Sequence, residues 1–376
     1  MRRRVTAVVD RRGFLRLAAG GSVGMLALAC GAPGAAPSSG SGASSGAAGG
    51  AASGAAPTAA AQPAASGALA RWRHAEPSAI FESAFRQMAV RKGFAREAGL
   101  DVEIQHLTSG TTIIKGLVAG EYDSADIGSS PVYPAIESGA EIKILASFTP
   151  GLFYAFYVRP DIQSVRDLAG KPIGTNDPGA LLYQLAQASL EAQGLDPTQV
   201  EYANVGGSPA IFQAVVAGKV AGGVSGVEWL REAERSGQAK PLFYLNQTLP
   251  RFLRQTFITS DRVIRERPEE LTRWLEAYAR GHRYGLDHKD ETVQFASELT
   301  GVTDLDNLNW TFDWYVQNGI VDPNFRVPPE NIEYMQDLGI RLGGQRTKLP
   351  YERIVNPAFR ERALAALGEY QPGANG

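Results

Sequence analysis

The sequence predicts an α/β fold in which helices pack on largely parallel sheets, and two observations support this prediction. From Arg71 onward, short β-rich runs alternate with runs that have the apolar spacing of helices; VEIQHL (102–107), IKILASF (142–148) and YAFYVR (154–159) are examples of the former. The segments 116–131 and 214–229 also share one order of features: a helix end, Val-Ala-Gly, a short strand and a Gly-led loop. This similarity indicates either two halves of like construction or the helix-turn-strand pattern common to α/β proteins.

The chain begins with the features of an export signal. Six arginines within the first 16 residues precede an uncharged run over 17–29, which is too short to span a bilayer as a helix. The stretch DRRGFLR (10–16) resembles a twin-arginine export signal, from whose pattern Asp10 and Arg16 depart. We therefore expect residues 1–29 to direct export, by the twin-arginine or the general route.

The only cysteine follows this segment, so the chain has neither an internal disulfide nor a cysteine-based metal site. LALAC (26–30) resembles a bacterial lipoprotein processing box, which implies that Cys30 is acylated and becomes the new N-terminus. Two or three acyl chains attach a protein stably to a membrane surface. The alternative is an ordinary secretory signal with an accidental cysteine.

Residues 31–70 carry no charge and consist almost entirely of Ala, Gly, Ser, Pro, Thr and Gln. Such a composition buries too little apolar surface to offset the entropy of ordering, so residues 30–70 are predicted to be a lipidated cysteine and a disordered tether. Without the six arginines and one aspartate of the signal, the 37 basic and 39 acidic residues leave a net charge of −7. This charge argues against nucleic acid as a partner.

Four predicted helices begin just after predicted strands. Ser130-Pro131, Asp177-Pro178 and Ser208-Pro209 each combine an N-capping residue with proline, and Ser109 begins a fourth helix without proline. In open α/β sheets such helix N-termini gather at the carboxyl ends of the strands, and their free N–H groups favour anions. Capping alone explains any single start, but four starts over two halves favour a shared crevice.

Two aromatic regions follow. An apolar stripe predicts a core-facing helix, with His282 at the edge of the core rather than in an active site; its members are Leu271, Trp274, Leu275, Tyr278, Ala279 and His282. A second cluster lies either in the core or over the cleft: Trp310, Phe312, Trp314 and Tyr315. The four histidines form no recognisable metal or triad pattern, so we expect no metal, no cofactor and no enzyme activity.

Several segments resemble the substrate-binding proteins of ABC importers for taurine, alkanesulfonates, nitrate and thiamine-precursor pyrimidines. The resemblance is carried by residues 92–104, 125–147, 165–175 and 258–291, for example ADIGSSPVYPAIESGAEIKILAS. It implies a two-lobed, type II periplasmic-binding-protein-like fold, each lobe a mostly parallel sheet flanked by helices. Two hinge segments near 156–160 and 255–258 would join lobe 1 (71–158) to lobe 2 (159–254), and residues 255–376 would return to lobe 1 and form the C-terminal helices.

The resemblance also implies that an exported, monomeric lipoprotein on the outer face of the membrane captures a small anionic or zwitterionic solute by hinge closure. Its partners would be an ABC permease and ATPase. Taurine or another alkanesulfonate ranks first as the solute and a thiamine pyrimidine precursor second; a ligand sensor for a signalling receptor is the alternative role.

Carried over segment by segment, the ligand loops include residues 76–82. The residues expected at the ligand are Glu76, Ser78, Phe81, Ser109, Gly110, Thr111, Ser129, Ser130, Asn176, Asp177, Gly179, Ala180, Ser208, Val227, Glu228 and Trp229. Serine hydroxyls and helix N–H groups suit a sulfonate, whereas Glu76, Asp177 and Glu228 repel a bare anion. Together they favour a zwitterion.

Overall fold

The computed structural model describes residues 68–371, except 78 and 108. The predicted export signal, Cys30, nearly all of the predicted tether, and Ser78 lie outside the described residues. Within the described part, none of the helices has both the length and the apolar character needed to cross a membrane.

In the described part of the chain, ten strands form two sheets of five strands each. In chain order the strands are β1 (Ala70–Pro77), β2 (Leu100–Leu107), β3 (Ser124–Gly128), β4 (Ile142–Ala146), β5 (Tyr154–Val158), β6 (Pro172–Thr175), β7 (Glu201–Asn204), β8 (Gly222–Gly226), β9 (Lys240–Tyr244) and β10 (Gln255–Ser260). The first sheet has the order β2-β1-β3-β10-β4, and the second has the order β7-β6-β8-β5-β9.

Helices flank both sheets. The described chain also contains three 3₁₀ turns: Val165–Leu168, Pro197–Gln199 and Val227–Trp229. The α-helices are α1 (Ser83–Arg91), α2 (Phe94–Glu97), α3 (Gly110–Ala119), α4 (Val132–Glu137), α5 (Leu181–Ala192), α6 (Ser208–Val216), α7 (Leu230–Ser236), α8 (Leu245–Thr248), α9 (Asp261–Glu266), α10 (Pro268–Asp287), α11 (Lys289–Thr300), α12 (Leu305–Gln317), α13 (Pro329–Arg341), α14 (Tyr351–Ile354) and α15 (Ala358–Leu367).

The two sheets have the same topology. In the first, β1 pairs in parallel with β2 and β3, while β10 pairs antiparallel with β3 and β4. In the second, β6 pairs in parallel with β7 and β8, while β5 pairs antiparallel with β8 and β9. The α/β class with two sheets is therefore confirmed. Each sheet is mixed rather than mostly parallel, because the strand that directly follows each connection between the sheets, β5 or β10, runs antiparallel to its neighbours.

The repeated sequence pattern corresponds to equivalent structure in the two sheets. Residues 116–131 contain the end of α3 and strand β3, and residues 214–229 contain the end of α6 and strand β8. Gly120 and Gly218 follow these helices with φ of 80° and 70°, the left-handed conformation that glycine adopts without steric cost. Because β3 and β8 are the third strands of identically ordered sheets, the similarity reflects two halves of like construction.

The connections between the sheets differ in position from the predicted hinges. Residues 156–158 belong to β5, which pairs with β8 and β9, so the first connection is 147–153. Residues 255–258 belong to β10, and the second connection precedes it at 249–254. The predicted hinge residues form strands because the chain pairs with its new sheet as soon as each connection ends, at residue 154 and at residue 255.

Not all of the predicted helix starts are correct. Helices α3 and α4 begin just after Ser109 and Pro131, and α6 begins at Ser208, but α5 begins only at Leu181. Asp177 is therefore no N-cap; its carboxylate accepts a hydrogen bond from Asn204 Nδ2 at 2.6 Å. No side-chain capping bond is made at the starts of these four helices.

The apolar stripe of α10 lies in the core of the first half, and all six predicted members are buried. The ring of His282 is fully buried and packs 4.5 Å from that of Phe148 and 4.7 Å from that of Tyr278. Burial lowers the pKa of His282 to about 3, so its imidazole is neutral. The histidine belongs to the core itself rather than to its edge.

Candidate functional site

The predicted ligand residues lie at the carboxyl ends of parallel strands in both sheets. Glu76 is at the end of β1, Ser129 and Ser130 follow β3, and Ser109 to Thr111 begin α3. In the second half, residues 176–180 follow β6, Ser208 begins α6, and residues 227–229 follow β8. Both sets therefore occupy the sheet edge where α/β proteins bind ligands.

Hydrogen bonds join these loops to the connections between the sheets and to α12. The N–H of Val227 donates to the carbonyl of Phe153 at 3.0 Å, and Asn307 Nδ2 donates to the carbonyl of Glu228 at 3.1 Å. The N–H of Ser129 donates to the carbonyl of Arg254 at 2.9 Å. We call this region the interlobe seam. It comprises the joined residues Phe153, Glu228, Arg254 and Asn307, with Glu82 and Tyr315, which contact Arg254 and Phe153, and with Ser130 and Trp229, the chain neighbours of Ser129 and Glu228.

A buried network of four charged side chains lies at the first-sheet side of the seam. Arg86 of α1 donates to Glu76 at 2.6 Å and also to Glu82. Arg254, on the second connection, donates from Nη2 to the same Glu82 oxygen at 2.8 Å. None of the four is more than 4% exposed. Two cations balance two anions, which is the arrangement that buried charges require.

Five polar atoms of the seam are buried and have no hydrogen-bond partner among the described residues. They are Glu82 Oε2, Ser130 Oγ, Trp229 Nε1, Arg254 Nε and Asn307 Oδ1. Most buried polar atoms in proteins are hydrogen-bonded, because an unpaired one loses its hydration without replacement. Atoms of both halves with unused bonding capacity are therefore candidates for contact with a solute.

Aromatic rings line the same region. Tyr315 stacks on Phe153 with ring centroids 5.1 Å apart and meets Phe81 edge-on at 5.2 Å. Trp229 stacks on Phe212 at 5.1 Å with an interplanar angle of 17°. Helix α12 thus contributes to the seam through Tyr315, whereas Trp310 and Trp314 of the same helix are half-buried.

Several predicted ligand residues use their polar atoms within the fold. The carboxylate of Glu76 binds Arg86 and Gln87, and the hydroxyl of Ser129 donates to the carbonyl of Leu253. Asn176 accepts from the N–H of Tyr183 at 2.9 Å, and Ser208 bonds Ser225 and the N–H of Gly226. These bonds, like that of Asp177 to Asn204, stabilise the loops. The charge of Glu76 is balanced by Arg86, whereas exposed Asp177 bonds a neutral amide and keeps its charge.

The remaining predicted residues divide into two groups. Phe81 and Val227 are buried beside the seam. Ser109, Thr111 and Gly179 are exposed and Gly110 and Ala180 are half-buried, and none of these five makes a hydrogen bond to a seam residue in the described part. Their role at a ligand stays a prediction.

Sequence reasoning did not single out Glu82, Arg86, Arg254 or Asn307. Glu82 stood at the end of the predicted loop 76–82, and its spacing from Arg86 is that of an i,i+4 helix pair. Such pairs are usually exposed, so the spacing alone does not indicate burial. Arg254 directly precedes the strand sequence QTFITS, all of whose residues are buried. A charged residue next to such a strand is the sequence feature that could have indicated a buried arginine.

A separate cavity of about 520 Å³ lies between the two connections and the segment 318–331. Its lining includes Leu152, Phe252, Asn318 and Arg326, and no residue of the interlobe seam. Glu82 and Tyr315 of the seam are each 1% exposed, and the unpaired polar atoms are buried, although Ser130, Glu228, Trp229 and Asn307 are half-buried as whole residues. A solute therefore reaches the seam atoms only when the loops of the two sheets move apart.

The described residues contain no group of three or more His, Cys, Asp or Glu side chains placed to hold a metal ion.

A family model for proteins described as NMT1/THI5 like matches residues 81–292, more than half of the chain. The chain belongs to the NMT1/THI5-like family. The matched region covers α1 to the beginning of α11, and thus both sheets except β1. The family predicted from the sequence is confirmed.

Known relatives of this NMT1/THI5-like chain include the taurine-binding periplasmic protein of Escherichia coli, which is 30% identical over 146 residues. That match covers 39% of this chain and 45% of the relative, so it spans less than half of the relative's length. Two solved structures have the same fold: the periplasmic aliphatic sulphonate binding protein of Escherichia coli and the periplasmic nitrate-binding protein of Synechocystis PCC 6803. All three relatives are binding proteins by name.

The sulphonate-binding structure is 14% identical with a TM-score of 0.63, and covers 76% of this chain and 92% of its own. The nitrate-binding structure is 17% identical with a TM-score of 0.63, and covers 80% and 89%. At these identities the similarity shows the fold alone. The two-lobed type II class predicted for this family member is confirmed at that level.

We expect Glu228 to make the stability of this NMT1/THI5-like protein depend on pH. Burial raises the pKa of Glu228 to about 7, and nearby Glu82 raises it further while Arg254 opposes the rise. In the unfolded chain the carboxyl ionises near pH 4.5, so the folded state holds the proton longer and its stability falls as pH rises between about 4.5 and 7. One pKa unit corresponds to about 1.36 kcal/mol, so the expected loss is about 3 kcal/mol.

The measurement is the free energy of unfolding in urea at pH 5 and pH 8, compared between the wild type and Glu228→Gln. The amide does not titrate, so we expect the wild type to lose more stability over this interval than the variant. Equal losses in the two proteins would show that Glu228 ionises normally in the fold.

Proposed function

We propose that the chain is the extracytoplasmic solute-binding protein of an ABC importer for a small sulfonate, with taurine or another alkanesulfonate as the first candidate. The observation that carries this proposal is the interlobe seam, where polar atoms from both halves are buried and unpaired. The named relatives bind taurine and aliphatic sulphonates, and they support the choice of solute.

The proposed mechanism is capture by hinge closure. The sheets are joined by the two connections 147–153 and 249–254, and the seam lies directly beside both of them through Phe153 and Arg254. Opening these connections exposes the seam, and a solute that contacts both halves stabilises the closed form. A ligand shifts such an equilibrium only by its difference in affinity for the two states.

We also propose that the protein is exported and attached to the membrane. The signal-like residues 1–29 and the processing-box-like LALAC support an exported lipoprotein held at the outer face of the membrane through Cys30. There it would act as a monomer and deliver the closed, loaded form to a permease with its ATPase. The periplasmic location of the three named relatives supports the extracytoplasmic side.

A pyrimidine precursor of thiamine is the second candidate solute. The observation that favours it is the aromatic character of the seam, because a flat heterocycle can stack on rings such as Tyr315 and Trp229. A ligand sensor that presents its closed form to a signalling receptor would use the same site and the same motion.

Thermal unfolding of the purified protein with taurine, ethanesulfonate, nitrate and an aminopyrimidine tests these candidates. A ligand at one hundred times its Kd adds about 2.7 kcal/mol of stability, which raises the Tm by a few degrees in a protein of this size. We expect a shift with one or both sulfonates. A shift with the aminopyrimidine alone would reassign the solute, and no shift with any of the four compounds would contradict the proposed solute class.

A further inference from the structure

We infer that Glu82 and Arg254 bind the two charged ends of a zwitterionic solute, Glu82 its ammonium group and Arg254 its anionic group. This inference rests on the solute-binding function proposed above and names the residues that select the solute. The sequence prediction placed Glu76 and Asp177 at the solute; Glu76 is instead ion-paired with Arg86, and Asp177 is exposed and bonds Asn204.

Glu82 has one engaged and one unengaged carboxylate oxygen. Oε1 accepts hydrogen bonds from both Arg86 and Arg254, while Oε2 has no partner in the described part of the chain. The residue is 1% exposed, so water does not satisfy Oε2 from the surface. An ammonium group carries three donors and a positive charge, and a buried carboxylate oxygen is the acceptor that binds it most strongly.

Arg254 has the complementary unengaged donor. Its Nη2 donates to Glu82 at 2.8 Å and its Nη1 to Gln255 Oε1 at 3.2 Å, but Nε has no acceptor among the described residues. The guanidinium lies 4.1 Å from the ring centroid of Phe153, which fixes its plane. An oxygen of a sulfonate or carboxylate group suits this N–H, because charge-assisted bonds of this kind are the strong ones.

The charge balance of the network favours a solute with both charges. Within the network Glu76 and Glu82 balance Arg86 and Arg254, and burial raises the pKa of the neighbouring carboxyls, Asp126 to about 6 and Glu228 to about 7. A purely anionic or cationic solute therefore changes the net charge of a buried region. A zwitterion adds none, and each of its ends meets one unengaged atom of opposite charge. Because Arg254 is part of the second connection, the same contact links the solute to the hinge.

Isothermal titration of the full protein with three probes tests the inference: taurine, ethanesulfonate, which lacks the amino group, and β-alanine, which replaces the sulfonate by a carboxylate. We expect the wild type to bind taurine about 30-fold or more tightly than ethanesulfonate, since an unpaired buried charge costs at least about that factor. In Glu82→Gln this preference is expected to fall to within a few-fold. Glu361→Gln, an exposed change on α15, is the control and keeps the wild-type preference.

Glu82→Gln leaves two buried arginines facing one glutamate, so a second variant protects the test against loss of folding. Glu82→Gln with Arg254→Gln keeps the network neutral and retains the pair of Glu76 and Arg86. We expect this double variant to fold and to show no preference for taurine over ethanesulfonate. An unchanged preference in either folded variant overturns the inference.

The three probes also separate this inference from the proposed function. A wild type that binds the two sulfonates equally well overturns the role of Glu82 while the sulfonate function stands. Binding of β-alanine that depends on Glu82, without binding of either sulfonate, supports the zwitterion site and overturns the sulfonate function. A wild type that binds none of the three probes overturns both.

Discussion

Replacing Arg86 by methionine is expected to lower the free energy of unfolding by about 3–5 kcal/mol. Arg86 is 1% exposed and binds Glu76 at 2.6 Å, as well as Glu82 and the hydroxyl of Ser83. Methionine fills a similar volume but leaves two carboxylates in the interior with half of their positive charge removed. Removing one partner of a buried ion pair costs about this much, because the remaining charge is neither hydrated nor paired.

Equilibrium unfolding in urea, followed by far-UV circular dichroism, measures this effect. The matched control is Arg91→Met on the same helix, because Arg91 also forms an ion pair, with Glu298, but its side chain is 33% exposed. That variant is expected to lose no more than about 1 kcal/mol. Addition of Glu76→Gln to Arg86→Met should recover part of the loss, and a destabilisation of Arg86→Met no larger than that of Arg91→Met would contradict the account.

Replacing Gly281 by alanine is expected to destabilise the protein by about 1–3 kcal/mol, even though alanine favours helix by about 1 kcal/mol. Gly281 lies in α10 where that helix crosses α1, and a Cβ there would stand 2.8 Å from Ala89 Cα and 2.9 Å from Ala89 Cβ. The obstacle is backbone, so the two helices must move apart to admit one methyl group. Thermal or urea unfolding of the purified variant measures the change.

Gly339→Ala is the control for this prediction. Gly339 lies inside α13, and a Cβ there would meet only the side chain of Gln345, at 3.3 Å and beyond. The end of a side chain yields more easily than backbone, so we expect the helix propensity of alanine to offset the contact and the stability to stay within about 1 kcal/mol of the wild type. If Gly281→Ala were as stable as Gly339→Ala, the close approach of α1 and α10 would not be a constraint.

The fold was predictable from the sequence where local patterns determine it. The alternation of strands and helices indicates the α/β class, the spacing in α10 indicates its buried face, and the repeated segments correspond to equivalent strands. The sheet membership of β5 and β10 was not predictable in this way. Each pairs with strands distant along the chain. The sequence of residues 154–158 alone does not specify whether this strand joins the first sheet or the second.

The candidate site shows the same division. Strand ends and helix starts located its loops, because chain geometry gathers them at one sheet edge. The sequence did not reveal that Glu76 is engaged by Arg86, since that bond joins a strand to a helix ten residues later. Nor did it reveal Arg254, whose bond to Glu82 spans 172 positions. Which polar atoms remain unpaired depends on such long-range contacts and not on residue type.

The position of β10 has a consequence for the order in which the protein folds. All five strands of the second sheet come from the continuous stretch 154–244, whereas the first sheet needs β10, which lies between β3 and β4. Among the described residues β4 pairs with β10 and, through one isolated bridge, with Val355, so it stays unpaired until residues 255–260 are available. Pairing across such a separation closes a long loop at an entropic cost and slows folding. The first sheet contains the strands that are synthesised first, but it is therefore completed after the second sheet.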